Sequence, residues 1–307
     1  MLKVTNLSKN FPNKKAVDSI SFQVKPGVIT GLLGPNGAGK TTTMRLLTGF
    51  LEASSGEIYY KDINLNTDSE IFKQKLGYLP ETAALYPDMI IYEYLAYMAD
   101  ARGVKPEFKE DRIQEMIKIC ELESHLYTPI GFLSKGFKQR VALAGTLIHD
   151  PEVIILDEPT SGLDPNQISH IRNLIKSLGK QKTLILSTHI LQEVEDICDE
   201  VIIINQGKIV ANSSVKNLYS NHSVLITVNS NFEKINSIFK SDDFISIEEY
   251  KEEEIEWEGY YSYLIHLKSF QPDLVFKTLA KTDLNVLELR VYKKSLESIF
   301  EELTRKI

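Results

Sequence analysis

Gly34-Pro-Asn-Gly-Ala-Gly-Lys40-Thr41 fits the pattern G-x-x-x-x-G-K-[ST]. Upstream runs Val28-Ile-Thr-Gly-Leu-Leu33, short and apolar like a buried strand. Downstream, Thr42-Thr-Met-Arg-Leu-Leu-Thr48 carries helical spacing. Strand, glycine-rich loop and helix are the surroundings this motif needs. Gly34, Gly37 and Gly39 are expected to take backbone angles that turn successive N–H groups inward as an anion nest. The nest opens on a helix N-terminus, where free N–H groups and the helix dipole favour phosphate. Lys40 can reach β- and γ-phosphates as a point charge, and the Thr41 hydroxyl can ligate Mg²⁺. The phosphate loop is therefore assigned Gly34, Pro35, Asn36, Gly37, Ala38, Gly39, Lys40, Thr41 and Thr42. A glycine-rich turn that binds nothing is the competing reading; a chance match has odds on the order of one in a hundred.

On the N-terminal side, Leu2-Lys-Val-Thr-Asn-Leu7 and Ile20-Ser-Phe-Gln-Val24 alternate like half-buried strands, and Gly56-Glu-Ile-Tyr-Tyr60 begins another. Together they predict an antiparallel sheet beside the loop. Phe11 follows the first strand and reads equally as an adenine-stacking face or a core residue. On the C-terminal side, Leu76-Gly-Tyr-Leu79 predicts a strand ended by Pro80-Glu81. A helix-rich block follows: one helix over 88–101, one from Pro106 with Ile113, Ile117 and Leu122 near one face, and one from Leu133-Ser-Lys-Gly-Phe-Lys-Gln139 to about Ile148. Ser134 is a good N-cap for the third, whose start could hold an anion or be a plain capped helix.

Val153-Ile-Ile-Leu156 is a continuous apolar run, hence a strand buried on both faces. It delivers Asp157 and Glu158 at its C-terminal end, where parallel α/β sheets place their ligands. Asp157 suits Mg²⁺, reached through the ion's waters; Glu158 suits polarising a water. Thr183-Leu-Ile-Leu-Ser-Thr188 predicts another core strand with His189 at its end, either structural or a γ-phosphate contact. Val201-Ile-Ile-Ile204 and Lys208-Ile-Val210 flank Asn205-Gln-Gly207 as a hairpin.

The 307 residues carry a net charge of −7, which makes the chain a poor wrapper of nucleic acid. The longest apolar runs fall far below the roughly 18 residues needed to cross a bilayer, and no signal peptide is evident. The two cysteines, Cys120 and Cys198, lack metal or redox spacing and read as reduced cytosolic thiols.

The phosphate loop, the strand ending in Asp-Glu, the capped helix start between them and His189 resemble the ATP-binding subunit of ABC transporters over residues 1 to about 220. Leu133-Ser-Lys-Gly-Phe-Lys-Gln139 is similar to that family's signature motif, Ile154-Ile-Leu-Asp-Glu158 to Walker B, Ser161-Gly-Leu-Asp164 to the D-loop and His189 to the switch histidine. The resemblance implies an α/β P-loop nucleotide triphosphatase with an antiparallel β-subdomain and a helical subdomain. It implies two copies meeting head to tail, each ATP lying between the phosphate loop of one and Ser134 and Gly136 of the other. It places Phe11 on adenine, Glu158 as the base orienting water, and His189 on the γ-phosphate. Glu81 stands where the family has glutamine; there it could ligate Mg²⁺ and act in the reaction while adding negative charge. Lys135 replaces a glycine and is expected to be tolerated.

Residues 221–307 change pattern. The strand and helix order βαββαβ predicts a small α+β ferredoxin-like domain; the resemblance to ABC subunits that carry similar appended domains implies a role in regulation or dimer contact. A last helix over 296–304 carries Leu296, Ile299, Phe300 and Leu303 on one face, and Glu252-Glu-Glu254 reads as a solvated hairpin tip. The whole is expected to be an ATPase with Mg²⁺ as cofactor, peripheral on the cytoplasmic face of the membrane. It would drive separate membrane permease subunits through 86–95 and bind no nucleic acid. The resemblance narrows to ABC-2-type exporters, and within them Leu79-Pro-Glu81 and Leu133-Ser-Lys-Gly136 look most like gliding-motility-associated subunits. The rivals are a soluble ABC ATPase acting on ribosomes or DNA, and a weakly hydrolysing regulatory subunit.

Overall fold

A computed structural model describes residues 1–218, 223–240, 243–250, 258–269, 271–292 and 295–305. The chain divides into two compact units, one of Met1–Val215 with Leu303–Ile307, the other of Lys216–Glu302. The boundary expected at 220/221 lies outside the described residues, as does the hairpin tip at 252–254.

In the first unit, β1 (Leu2–Phe11), β2 (Lys14–Val24), β3 (Ile29–Leu33), α1 (Lys40–Leu47), β4 (Ser55–Tyr60), β5 (Ile63–Asn64), α2 (Ser69–Gln74) and β6 (Leu76–Leu79) come first. Next are α3 (Ile91–Ala101), α4 (Pro106–Ile119) and α5 (Lys135–Leu147). Then follow β7 (Val153–Asp157), α6 (Pro165–Gly179), β8 (Thr183–Thr188), α7 (Leu191–Ile197), β9 (Glu200–Asn205) and β10 (Lys208–Ser214); α8 (Val215–Leu218) starts at Val215, and its other residues belong to the second unit. The alternating strands form an antiparallel sheet in the order β2-β1-β4-β5. The continuous apolar strands form a second sheet, β10-β9-β3-β8-β7-β6, parallel except for the edge strand β10. Every residue of β3, β7 and β8 is buried, which is why these strands read as unbroken apolar runs. Leu2, Val17, Leu32, Met44, Phe72, Ile155 and Ile202 share one core that joins the two sheets.

Two expectations shift. The second helix ends at Ile119, because Glu121 takes a left-handed φ of 53°; Leu122 is still fully buried, but from the loop beyond. The helix expected from 88 begins at Ile91, where the Glu93 side chain accepts from the Ile90 N–H at 3.4 Å.

His149 closes the turn between α5 and β7. Its Nε2 lies 3.1 Å from the Leu76 carbonyl, while Nδ1 is buried without a partner among the described residues. Burial, with Arg102 beside the ring, pushes the imidazole down to about 4. The folded state therefore binds this proton more weakly than the unfolded chain, and stability present above the usual histidine value drains away as pH falls. Between pH 6.5 and about 4 this group alone should remove about 3 kcal/mol. In His149→Gln the Nε2 donor is kept and the titration is gone, so the variant should lose less stability than wild type across that window. Equal slopes of urea midpoint against pH for the two proteins would refute this.

The second unit comprises β11 (Ser223–Val228), α9 (Phe232–Ile238), β12 (Phe244–Tyr250), β13 (Tyr261–Leu267), α10 (Asp273–Leu279), β14 (Val286–Tyr292) and α11 (Leu296–Arg305) as far as Glu302, the helix's residues from Leu303 on belonging to the first. Its strands pair antiparallel in the order β12-β13-β11-β14, the ferredoxin-like arrangement that the βαββαβ succession predicts. Ile235 of α9 and Val275 and Leu279 of α10 pack on Val224, Ile226, Tyr263 and Ile265. On α11, Leu296 and Ile299 are buried, and Phe300 and Leu303 half-buried.

Candidate active site

The parallel order β3-β8-β7-β6 sets four strand ends side by side: Gly34 after β3, His189 after β8, Glu158 after β7 and Pro80-Glu81 after β6. Residues spread over 34–189 thus reach one edge because their strands are neighbours in the sheet.

The phosphate loop is shaped by its surroundings as much as by its own glycines. Gly34 has no left-handed φ, contrary to expectation; it is small because a Cβ there would stand 2.3 Å from the Ile204 carbonyl oxygen. Gly39 is left-handed at φ 111° and lies against the Ala16 carbonyl, 2.6 Å from where its Cβ would be. Gly37 and Asn36 are exposed at the open side of the loop, and Lys14 Nζ donates to the Gly37 carbonyl at 3.2 Å. Pro35 is half-buried, and Ala38 is buried. α1 begins directly at Lys40, with no acidic side chain in its first turn to compete for its free N–H groups.

Lys40 is only 7% exposed. Its Nζ donates to the Gly34 carbonyl at 2.8 Å and lies 3.8 Å from Glu158 Oε1. Burial lowers its proton affinity, and Glu158, Asp157 and Glu81 pull it back up. Asp157 is fully buried; Oδ1 accepts from the Ser187 hydroxyl at 2.5 Å and from Thr41 Oγ1 at 3.5 Å. Thr42 is half-buried in the first turn of α1. Glu158 sits just past β7 with a left-handed φ of 49°, its N–H donating to Ser187 Oγ at 3.1 Å. That conformation costs an alanine-like residue on the order of 1 kcal/mol and is kept where surroundings impose it. His189 Nδ1 lies 2.9 Å from Glu158 Oε2, with its ring half-exposed. Both carboxylates stand above the usual carboxylate range because they are buried; Ser187 opposes this at Asp157 and His189 at Glu158.

Four predicted residues, Phe11, Glu81, Ser134 and Gly136, lie away from this cluster. Phe11 is 44% exposed at the end of β1, with Lys9 Nζ 5.5 Å from its ring centre. Glu81 is exposed beyond β6, close enough for its charge to be felt at Lys40 and Asp157. Ser134 caps α5, its hydroxyl accepting from the Phe137 N–H at 3.3 Å. The start of α5 packs against the residues after β7: a Cβ on Gly136 would meet the Gln167 side chain at 2.3 Å, and one on Gly162 would meet Lys135 Nζ at 2.1 Å. Among the described residues no hydrogen bond joins Ser134 or Gly136 to the phosphate loop of the same chain. Sequence reasoning missed Ser187, which orders both Asp157 and the Glu158 backbone; the available signal was a hydroxyl directly after the apolar run Leu184–Leu186, in a fully buried strand.

A parallel sheet with a phosphate loop at the end of one strand and paired carboxylates at the same edge, with one strand between them, defines a P-loop nucleotide triphosphatase. Residues 17–161 match the ABC transporter family model. The chain is 40% identical to the ABC transporter ATP-binding protein MJ1023 of Methanocaldococcus jannaschii, over 71% of this chain and 79% of that one. It is 32% identical to the bacitracin transport ATP-binding protein BcrA of Bacillus licheniformis, over 99% of this chain and 97% of that one. Its structure matches the dimeric, post-hydrolysis ATP-binding cassette MJ0796 bound to ADP and Pi with a TM-score of 0.63 at 25% identity, covering 70% of this chain and 99% of that one. The chain belongs to the ABC transporter family, as an ATP-binding, ATP-hydrolysing subunit that powers transport.

Proposed function

We propose that two copies of this chain close head to tail around two ATP molecules and drive export through separate membrane subunits at the cytoplasmic face. The observation that carries this reading is the phosphate-ready helix start at Ser134 and Gly136, which meets no phosphate loop of its own chain. A twofold interface would bring it to the partner's ATP. That MJ0796 is a dimeric cassette supports the reading. In each site Lys40 and the N–H groups of residues 34–42 hold the phosphates, Phe11 stacks on adenine, and His189 contacts the γ-phosphate. Glu158, held by His189 and facing Lys40, orients the attacking water and takes its proton.

Thr41 Oγ1, Asp157 and Glu81 offer hard oxygen donors, and Thr41 and Asp157 already approach each other at 3.5 Å, so the residues fit Mg²⁺. That ion would neutralise charge on the phosphate oxygens.

Among the described residues no helix is long and apolar enough to cross a membrane, which supports docking to another chain. The segment 86–95 with Tyr97 offers the exposed, edge-packed pair Tyr86 and Tyr97, centroids 5.5 Å apart, while Ile91, Tyr94 and Leu95 face the core. The near full-length match to a bacitracin transport subunit favours a transporter over a ribosome- or DNA-acting ATPase. The likeness to gliding-motility-associated subunits rests on Leu79–Glu81 and Leu133–Gly136 alone. The second unit, with its own core, is read as a regulatory or dimer-contact domain.

Fractionation of cells expressing the tagged chain with its genomic neighbours tests the assembly. The chain should sediment with membranes and be captured in mild detergent with integral membrane subunits. Co-sedimentation with ribosomes from salt-washed lysate, and not with membranes, would overturn it.

A further inference from the structure

Glu193, in the first turn of α7, is 1% exposed, yet no lysine, arginine or histidine lies within ion-pair distance of it among the described residues. Burying an unpaired carboxylate is costly unless hydrogen bonds hold it. Both its oxygens are held, each by a buried threonine hydroxyl: Oε1 accepts from Thr160 Oγ1, and Oε2 from Thr188 Oγ1 at 2.6 Å. Thr160 stands two residues after Glu158, in the turn leaving β7. Thr188 is the last residue of β8 and immediately precedes His189, and its Oγ1 also accepts from the Ile190 N–H at 3.0 Å. The same turn after β7 is tied to α5 by Gln139 Nε2 donating to the Pro159 carbonyl at 2.9 Å.

We propose that Glu193 is a positioning residue: a buried strut that ties the turn carrying Glu158 to the loop carrying His189 and so maintains their 2.9 Å contact. Only a carboxylate suits the place. Each threonine hydroxyl has one proton to give, and Thr188 Oγ1 already receives one from Ile190. An amide offers one accepting oxygen and turns donors toward the other hydroxyl. Small displacements of a catalytic pair cost far more in rate than in folding. The strut should therefore appear in kcat and leave ATP binding, which depends on residues 34–42, largely alone.

This inference rests on the roles given above to Glu158 and His189, so Glu158→Gln is assayed in parallel. Glu193→Gln is close to isosteric and should keep a melting temperature within a few degrees of wild type, while kcat falls about tenfold and KM for ATP stays within about twofold. Thr188→Val should lower kcat in the same direction. The double variant Glu193→Gln/Thr188→Val should fall less than about twofold further than the worse single, since both remove one strut. Should Thr188→Val fail to fold, Thr160→Val takes its place in the cycle. Wild-type kcat in Glu193→Gln sinks the strut, provided Glu158→Gln is inactive; an active Glu158→Gln sinks instead the assignment on which it rests. Fully multiplicative losses in the double variant, or a loss that appears in KM alone, also overturn it.

Discussion

Glu158→Gln should hydrolyse ATP about a thousandfold more slowly than wild type while still binding it. An amide can hydrogen-bond to water but cannot take its proton, and general-base removal typically costs between about a hundred- and ten-thousandfold. Binding is spared because the substitution leaves the loop and Lys40 in place. Lys40 loses a carboxylate at 3.8 Å, but the phosphates of ATP offer it more negative charge than that carboxylate did. Replacing a buried carboxylate that burial already holds above its usual range also removes a negative charge facing the γ-phosphate. ATP should therefore stay bound and hold two copies together: with ATP and Mg²⁺ the variant should elute as a dimer on gel filtration, and without nucleotide as wild type does. Turnover within about threefold of wild type would remove Glu158 from the reaction, and the same result would revive the weakly hydrolysing reading only if wild type itself were near background.

What could be read in advance divides along a physical line. Chemistry carried by local spacing was legible: the loop at 34–41 follows a five-residue buried strand and opens a helix, and the four apolar residues before Asp157 form a fully buried strand. The small second unit was legible for the same reason, since its βαββαβ succession leaves few antiparallel orders and β12-β13-β11-β14 is the one adopted. What was hidden depends on partners distant in sequence. The motif alone makes Gly34 a conformational glycine, whereas the Ile204 carbonyl on a neighbouring strand is what excludes a side chain there. Ser187 reaches Asp157 across thirty residues, and Glu193 reaches Thr160 across thirty-three, so neither pairing leaves a periodic trace. The end of α4 is hidden as well, because apolar spacing continues to Leu122 while the chain turns left-handed at Glu121 and brings that leucine inward by another route.

The head-to-tail sandwich makes a sharper demand, and it is met or failed by mixing two inactive proteins. Lys40→Ala should abolish turnover by removing the cation that holds the phosphates. Ser134→Asp should do so from the other side of the interface. Aspartate caps a helix about as well as serine, so α5 keeps its N-terminal bond. Its carboxylate, however, stands where the partner's γ-phosphate must lie, and like charges in a closed, dry site repel strongly. Ser134 is exposed, so the side chain is accommodated in the free subunit. In a mixed dimer one site combines both defects, while the other pairs an intact phosphate loop with an intact helix start. Random pairing of equal amounts makes half of all dimers mixed, each with one of two sites restored, so the mixture should recover about a quarter of wild-type turnover from two proteins that have almost none. Differently tagged copies, purified sequentially, should raise that to about half. If verified mixed dimers stay at background while wild-type dimers with one tagged copy are active, or if Ser134→Asp alone hydrolyses ATP normally, each nucleotide must be served by a single chain. The helix start at 134–136 would then have no anion to hold.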